Sequence, residues 1–471
     1  MPVGERKVGR KFELPQYLLV QLIGTDEALR RFLSRHPAEI QGASVKGSNV
    51  VLRVILPHTV LEIARGGGLR IKIELNLTEA WAQAVQNIGF GSGLDPKLLT
   101  LGLTSAASVG YLLCPAVAAN TVSLATAHAD LCELIVLPHK TANPVQPTTC
   151  HAISIEKMAP ADAPTILILG GIHGREWGSC EIALNFVDEL IAAYKGGTDV
   201  TMGNATFTAV DIANLVETRK IVVFPMVNPD GREYSQSGLD KAWRKNRNPA
   251  EEVAGDPRSV GVDINRNFDF LFNLDDAFVE DCGVMVSTDP SDHDLYQGPF
   301  PFSEAESQNV KYLLDRFEET NWLVDLHSSS QTLMCPWSDD DTQTVDDQMS
   351  FANPLMKALR GVANTGYGEY MLPDDAAEHY RLMKVMYESI LKAGGPGYSV
   401  KTGFEFGASS GTSHDYAYSR HLVDPQLSKV LGFVVEWGKS PYPDWPIMKP
   451  IVSEVTAALF AFSIDTQPAG P

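Results

Sequence analysis

The sequence predicts an α/β protein with a mixed central sheet flanked by helices, preceded by a small α+β open-sandwich domain. Three observations carry that prediction. The chain has 471 residues, too many for one ordinary core and enough for a small domain plus a large one. Its first eighty residues alternate short strand-like and helix-like stretches. Beyond about Tyr111, short, largely apolar runs recur between helical patterns, TILILGG the most uniform of them, as expected of strands buried on both faces. The boundaries that follow are a front domain over 1–85, a linker over 86–108 and a large domain over 109–462.

In the front domain, QYLLVQLIG reads as a strand. TDEALRRFLSRH reads as a short helix opening at Thr25 or Asp26, with Leu29, Phe32 and Leu33 on one face. Strands follow at about 38–46 and in NVVLRVIL, then a short helix in PHTVLEIARGGG closed by glycines, then the alternating strand LRIKIEL. This βαββαβ order predicts a small antiparallel sheet with two helices on one face. Residues 86–107 are rich in Gly, Leu and Ser without periodicity and read as a linker. The uncharged run from Leu98 to His128 is long enough to span a bilayer. Polar residues and a proline interrupt it, so it reads as linker plus buried helix, and no membrane partner is expected.

In the large domain, TILILGG, KIVVFPMVNPDG, WLVDLHSSS and LGFVVEWG are buried-strand runs with polar residues at their carboxyl ends. Between the first two, CEIALNFVDELIAAY places Ala183, Val187, Leu190, Ile191 and Tyr194 at helical spacing, and Gly196–Gly197 ends it. Open α/β sheets bind ligands beyond the carboxyl ends of their strands, so four strand ends mark one candidate site. SDDDTQTVDD (338–347) reads as an exposed acidic loop.

The net charge of −20 opposes a nucleic-acid partner, because phosphates must be met by clustered Lys and Arg. The charge is uneven: residues 1–80 carry +4 and the remainder −24, so the two parts either attract each other or are simply solvated surfaces. Met1 to Leu14 is charged and has no apolar stretch of the secretory kind, so a cytoplasmic location is expected, with export by another route left open. Six cysteines stand far apart without a CxxC pair and read as core residues.

Zinc takes imidazoles and carboxylates that converge while leaving one position open for water. His173-Gly-Arg-Glu176 offers a His and a Glu three apart, directly after a buried strand, and His327 ends another strand run. A second H-x-x-E, His36-Pro-Ala-Glu39, lies in the front domain and reads as accidental. Glu436 is the one acidic residue in the run LGFVVEWG, where a carboxylate is costly unless paired or functional.

VNPDGREYSQSGLDKAWRKNRNP followed by GVDINRNFDF closely resembles the zinc carboxypeptidases of the carboxypeptidase A and B family. GGIHGREWGSCEIAL, YQGPFPFSEAES, LVDLHS, SGTSHDYAY and FVVEWG follow in that family's order, over roughly residues 110–460. The front segment is similar in pattern to the family's inhibitory activation segment. The resemblance implies one zinc ion on His173, Glu176 and His327, with Asp263 orienting the first histidine. It implies Glu436 as general base, and Asn265 and Arg266 as the grip on a substrate's terminal carboxylate. It assigns the scissile carbonyl to Arg247, substrate subsites to Arg244 and Arg175, and the floor of the side-chain pocket to His414. Lys245 reads as a surface charge.

One position departs from the family. Its mobile capping tyrosine falls on Gly407, beside Phe406, which leaves Tyr398, Tyr416 and Tyr418 as candidates to replace it. The implied activity is hydrolysis of the C-terminal bond of peptides or proteins. An activating protease is the further partner that an activation segment implies. Alternatives are a zinc amidase for acyl-amino acids and a binding protein descended from a peptidase.

Overall fold

The computed structural model describes residues 16–36, 38, 40–87 and 110–466. The charged N-terminal stretch, most of the expected linker and Glu39 of the second H-x-x-E lie outside these residues.

The front segment forms a four-stranded antiparallel sheet of β1 (Tyr17–Gly24), β2 (Ile40–Lys46), β3 (Asn49–Pro57) and β4 (Arg70–Asn76), in the order β2-β3-β1-β4. The helix Asp26–Leu33 starts where expected, because the Thr25 side chain accepts from the Ala28 amide and caps it. Leu29, Phe32 and Leu33 are its buried residues. A further helix, Leu77–Ala84, follows β4 directly; the sequence reading had no element there. Asn76 caps it by accepting from the Thr78 amide.

Strand β1 is buried on both faces. Leu18, Val20 and Leu22 pack with the front helices, whereas Tyr17, Leu19 and Ile55, with Leu77 and Ala84, join the core of the large sheet. Strand alternation places successive side chains on opposite faces, so the front sheet is held between its own helices and the body.

The large sheet contains β5 (Cys132–Val136), β6 (His151–Ile155), β7 (Thr165–Gly170), β10 (Lys220–Phe224), β11 (Thr320–His327), β12 (Thr332–Cys335), β15 (Ser399–Thr402) and β16 (Leu431–Glu436). Two short pairs lie outside it, β8 (Val200–Met202) with β9 (Ala205–Phe207), antiparallel, and β13 (Thr342–Gln343) with β14 (Glu369–Tyr370), parallel. The strand order is β15-β12-β16-β11-β7-β10-β6-β5. The four central strands are parallel, and β12 and β6 join them antiparallel, so the sheet is mixed.

The helix Gly178–Gly196 ends at Gly197, whose left-handed φ of 58° closes it. The helix Trp445–Asp465 is long and apolar enough to cross a membrane, but two thirds of that stretch is buried inside the protein. Cys132 is half-buried and the other five cysteines are buried; none is in a disulfide. The expected acidic loop is only partly one. Asp339 and Asp340 are fully buried, because Arg360 lies 3.1 Å from Asp339 and 3.0 Å from Glu369, and the Gly361 amide donates to Asp340 at 2.9 Å.

Candidate functional site

Strands β11 and β16 run in parallel register with His327 opposite Glu436, so the last residues of two neighbouring strands share one end of the sheet. Strand β7 lies on the other side of β11 and ends at Gly170; the turn that follows carries His173 and Glu176. Gly174 permits that turn, because a Cβ there would lie 2.5 Å from the Gly231 backbone, and its amide donates to the Arg244 carbonyl at 2.9 Å.

His173, Glu176 and His327 converge, with their candidate ligand atoms all within 4.8 Å of one another and all three residues buried. His173 Nδ1 lies 2.8 Å from Glu176 Oε1, His327 Nδ1 lies 3.0 Å from Glu176 Oε2, and the two Nδ1 atoms are 3.0 Å apart. The outer nitrogens face carboxylates: His173 Nε2 is 3.3 Å from Asp263, and His327 Nε2 is 3.0 Å from Asp325. A proton on each Nε2 leaves both Nδ1 lone pairs aimed inward beside a carboxylate, which is a donor set for a divalent cation such as zinc. Burial works against a charged Glu176, but the two imidazoles outweigh it and hold its carboxyl well below the usual range. Burial also opposes a charged His327, but Asp325 and Glu176 together raise its pKa well above the ordinary value.

Glu436 is buried, and its Oε2 has no hydrogen-bond partner among the described residues. Burial, and then the nearby Glu176 carboxylate, raise its pKa above the usual carboxylate range. Such a carboxyl beside a candidate metal-binding cluster is suited to carry a proton in a reaction.

Glu436 shares a cleft with His173, His327, Arg244, Asn265, Arg266 and His414. Asn265 accepts from the Ser413 amide at 2.8 Å. Arg266 is buried and donates to the backbone carbonyls of Met285 and Asn265. Among the described residues no carboxylate forms an ion pair with it, and burial lowers its pKa to about 10. A buried guanidinium without a carboxylate is costly, which suits it to accept one from a ligand. Gly411 brings the next loop against it: φ is +63°, and a Cβ there would lie 2.2 Å from the Arg266 carbonyl oxygen.

The arginines are placed differently from the sequence expectation. Arg244, not Arg247, lines the cleft, donating to Asp263 at 2.9 Å with its Nη1 3.4 Å from His173 Nδ1. The Arg247 guanidinium stacks 3.9 Å from the Tyr234 ring and 4.4 Å from the Trp243 ring, away from the cleft lining. Arg175 is buried against the Ala242 carbonyl and Asp294, and likewise does not line the cleft. Lys245 is not a surface charge. It is fully buried, donates to the carbonyls of Ser259 and Asp292, and burial lowers its pKa to about 8.

His414 lies in the cleft wall with Nε2 2.9 Å from Ser338 Oγ, and burial lowers its pKa. Gly407 and Phe406 also line the cleft, and a Cβ on Gly407 would meet the Met285 side chain at 2.7 Å. Tyr398, Tyr416 and Tyr418 do not line it. Tyr398 donates to Glu454 and Tyr418 to Asp375, while Tyr416 packs among Phe268 and Phe302.

The front sheet reaches this cleft. Ile40 lines it, and its amide lies 3.2 Å from the Met285 sulfur. Gln41 Oε1 accepts from the Ser329 amide at 2.9 Å, and Arg53 donates to the carbonyls of Ser329 at 2.7 Å and Lys439 at 2.8 Å. Ser329 and Lys439 follow His327 and Glu436 by two and three residues.

Two residues were missed from sequence. Asp325 was hidden as a polar interruption in an apolar run, although its spacing of two from His327 places both on one strand face. Ser338 was hidden in the supposed acidic loop.

A family model described as zinc carboxypeptidase (Peptidase_M14) matches residues 119–438. Carboxypeptidase B of Astacus astacus is 32% identical over 213 residues, 44% of this chain and 60% of that protein. Carboxypeptidase A2 of Rattus norvegicus is 31% identical over 207 residues, 43% of each chain. The chain thus spans about half the length of these curated relatives. The crystal structure of a carboxypeptidase A from Helicoverpa armigera superposes with a TM-score of 0.66 over 95% of this chain and 97% of that one, at 16% identity, so it shares the fold. With the family model covering more than half of its length, this chain belongs to the zinc carboxypeptidase family.

Proposed function

We propose that the protein is a zinc metallocarboxypeptidase that hydrolyses the C-terminal bond of peptides. The observation that carries this reading is a single cleft lined by His173 and His327 of the ligand cluster, by Glu436, whose Oε2 has no hydrogen-bond partner among the described residues, and by Arg266, which pairs with no carboxylate among them. Zinc bound by those three side chains supplies a Lewis acid that makes a water acidic enough to react near neutral pH. Glu436 accepts the proton of the attacking water and returns it to the amine that leaves. Arg244, not Arg247, faces the charge that develops on the carbonyl oxygen, since its guanidinium lies beside His173. Arg266, with Asn265, holds the terminal carboxylate, and His414 with Ser338 meets the departing side chain.

The front sheet holds the protein inactive in this reading. Ile40 occupies the cleft wall, and Gln41 and Arg53 occupy backbone groups just beyond His327 and Glu436. A protease that cuts between the front sheet and the body is the implied activator.

The test uses protein from which the front segment has been cut, with a blocked dipeptide, its C-terminal amide and an acyl-amino acid. Release from the dipeptide acid but not the amide supports the reading, and Arg266→Ala is expected to lower kcat/KM by ~2–5 kcal/mol equivalent. Equal cleavage of acid and amide overturns it, and cleavage of the acyl-amino acid alone favours an amidase.

A further inference from the structure

We propose that Asp325 is the positioning residue for His327, and that Ser413 locks it in place and ties it to the carboxylate-binding side of the cleft. Asp325 is fully buried in central strand β11, where a carboxylate normally needs a cationic partner. Among the described residues no Lys or Arg pairs with it. Its contacts are His327 Nε2 at 3.0 Å and the Ser413 hydroxyl, which donates to the same oxygen at 2.5 Å. With Nε2 donating to Asp325, the lone pair of the imidazole lies on Nδ1, which faces Glu176 Oε2 and His173 Nδ1 at 3.0 Å each.

The two imidazoles are not equivalent. Asp263 faces His173 at 3.3 Å but shares its charge with Arg244 at 2.9 Å. Asp325 is shorter to its imidazole and shares its charge with a neutral hydroxyl. Asp325 therefore fixes the Nε2–H tautomer of His327, and with it the direction of Nδ1, more firmly than Asp263 fixes that of His173. Ser413 extends the link: its hydroxyl holds Asp325, its amide donates to Asn265 at 2.8 Å, and the next residue is His414 of the cleft wall. Metal ligand, carboxylate grip and side-chain pocket thus meet at the first turn of the helix Ser413–Val423.

The inference rests on the metal reading of the cluster. The experiment measures zinc affinity of the full chain by chelator competition and records the visible spectrum of cobalt-loaded protein, for wild type, Asp325→Asn, Asp263→Asn and Ser413→Ala. An amide can turn either its oxygen or its nitrogen toward Nε2, so it no longer enforces one tautomer. Asp325→Asn is expected to lose ~10–100-fold in zinc affinity, more than Asp263→Asn, with altered cobalt bands. Ser413→Ala, which keeps the carboxylate, should shift both readouts the same way by less. Unchanged affinity and cobalt spectrum in Asp325→Asn overturn the inference while leaving the metal reading intact. Failure of the wild type to bind zinc overturns both.

Discussion

Strand β1 of the front sheet and strand β11 of the large sheet are both buried on both faces, yet their burial has different origins. Strand β11 lies between β16 and β7 inside the body's own core, and its charged residues Asp325 and His327 are paired with one another. Strand β1 owes one face to its own helices and the other to the body, through Tyr17 and Leu19. Central burial in the body is intrinsic and holds the chemistry in place. Burial of the front strand depends on the contact between two parts of the chain, and the polar groups that secure that contact reach backbone next to the chemistry.

The sharpest way to break the body side is Glu436→Gln, which removes a proton acceptor but not a candidate ligand. We expect a loss of ~10²–10⁴ in kcat with zinc content unchanged by metal analysis. Normal turnover in fully loaded variant would reassign the base. Next comes the pair of arginines. Arg244→Ala should lower kcat by ~10²–10³, whereas Arg247→Ala, acting on a guanidinium packed against the adjoining Tyr234 and Trp243 rings, should change melting temperature more than kcat. The reverse ranking would restore the assignment that the resemblance implied.

On the front side, Arg53→Ala removes two hydrogen bonds to the Ser329 and Lys439 carbonyls. The uncut chain is expected to gain activity by a few-fold, at ~1.5–3 kcal/mol per charged hydrogen bond in the limit and less at a partly exposed site. Added salt should give a smaller gain in the same direction, by screening the +4 front from the −24 body. No gain in either case would make the front segment a folding aid. A last effect concerns the stability of the body and not catalysis. Burial, and then Glu304, raise the pKa of Glu306 from 4.5 to about 8. Between those values the folded state keeps a proton that the unfolded state has lost, so stability falls as pH rises through this window. Glu306→Gln should flatten that fall in a series of denaturant titrations at different pH.

Much of this arrangement is legible in the amino-acid sequence. The ends of β7, β11 and β16 could be located because apolar runs stop at polar residues, and His173, Glu176, His327 and Glu436 are those residues or close followers. What could not be read was direction. In WRKNR, the sequence does not reveal that Arg244 turns toward His173 while Arg247 lies on Tyr234 and Trp243. Nor does it reveal that Lys245 between them is satisfied by carbonyls of Ser259 and Asp292, fourteen and forty-seven residues on. Asp339 and Asp340 look like solvated acids until Arg360 and the Gly361 amide arrive from a distant segment. The helix Leu77–Ala84 escaped because Asn76 caps it without a break after a strand.

The apolar face that Tyr17, Leu19, Ile55, Leu77 and Ala84 share with the body changes what a cut between the two sheets accomplishes. Hydrolysis of one peptide bond leaves that face covered; it removes only the tether, and with it the high local concentration, on the order of millimolar for a short flexible link. Release then becomes a bimolecular equilibrium. Nicked protein should regain inhibition when concentrated and lose it when diluted, with a lag set by dissociation of the segment and not by the cutting step.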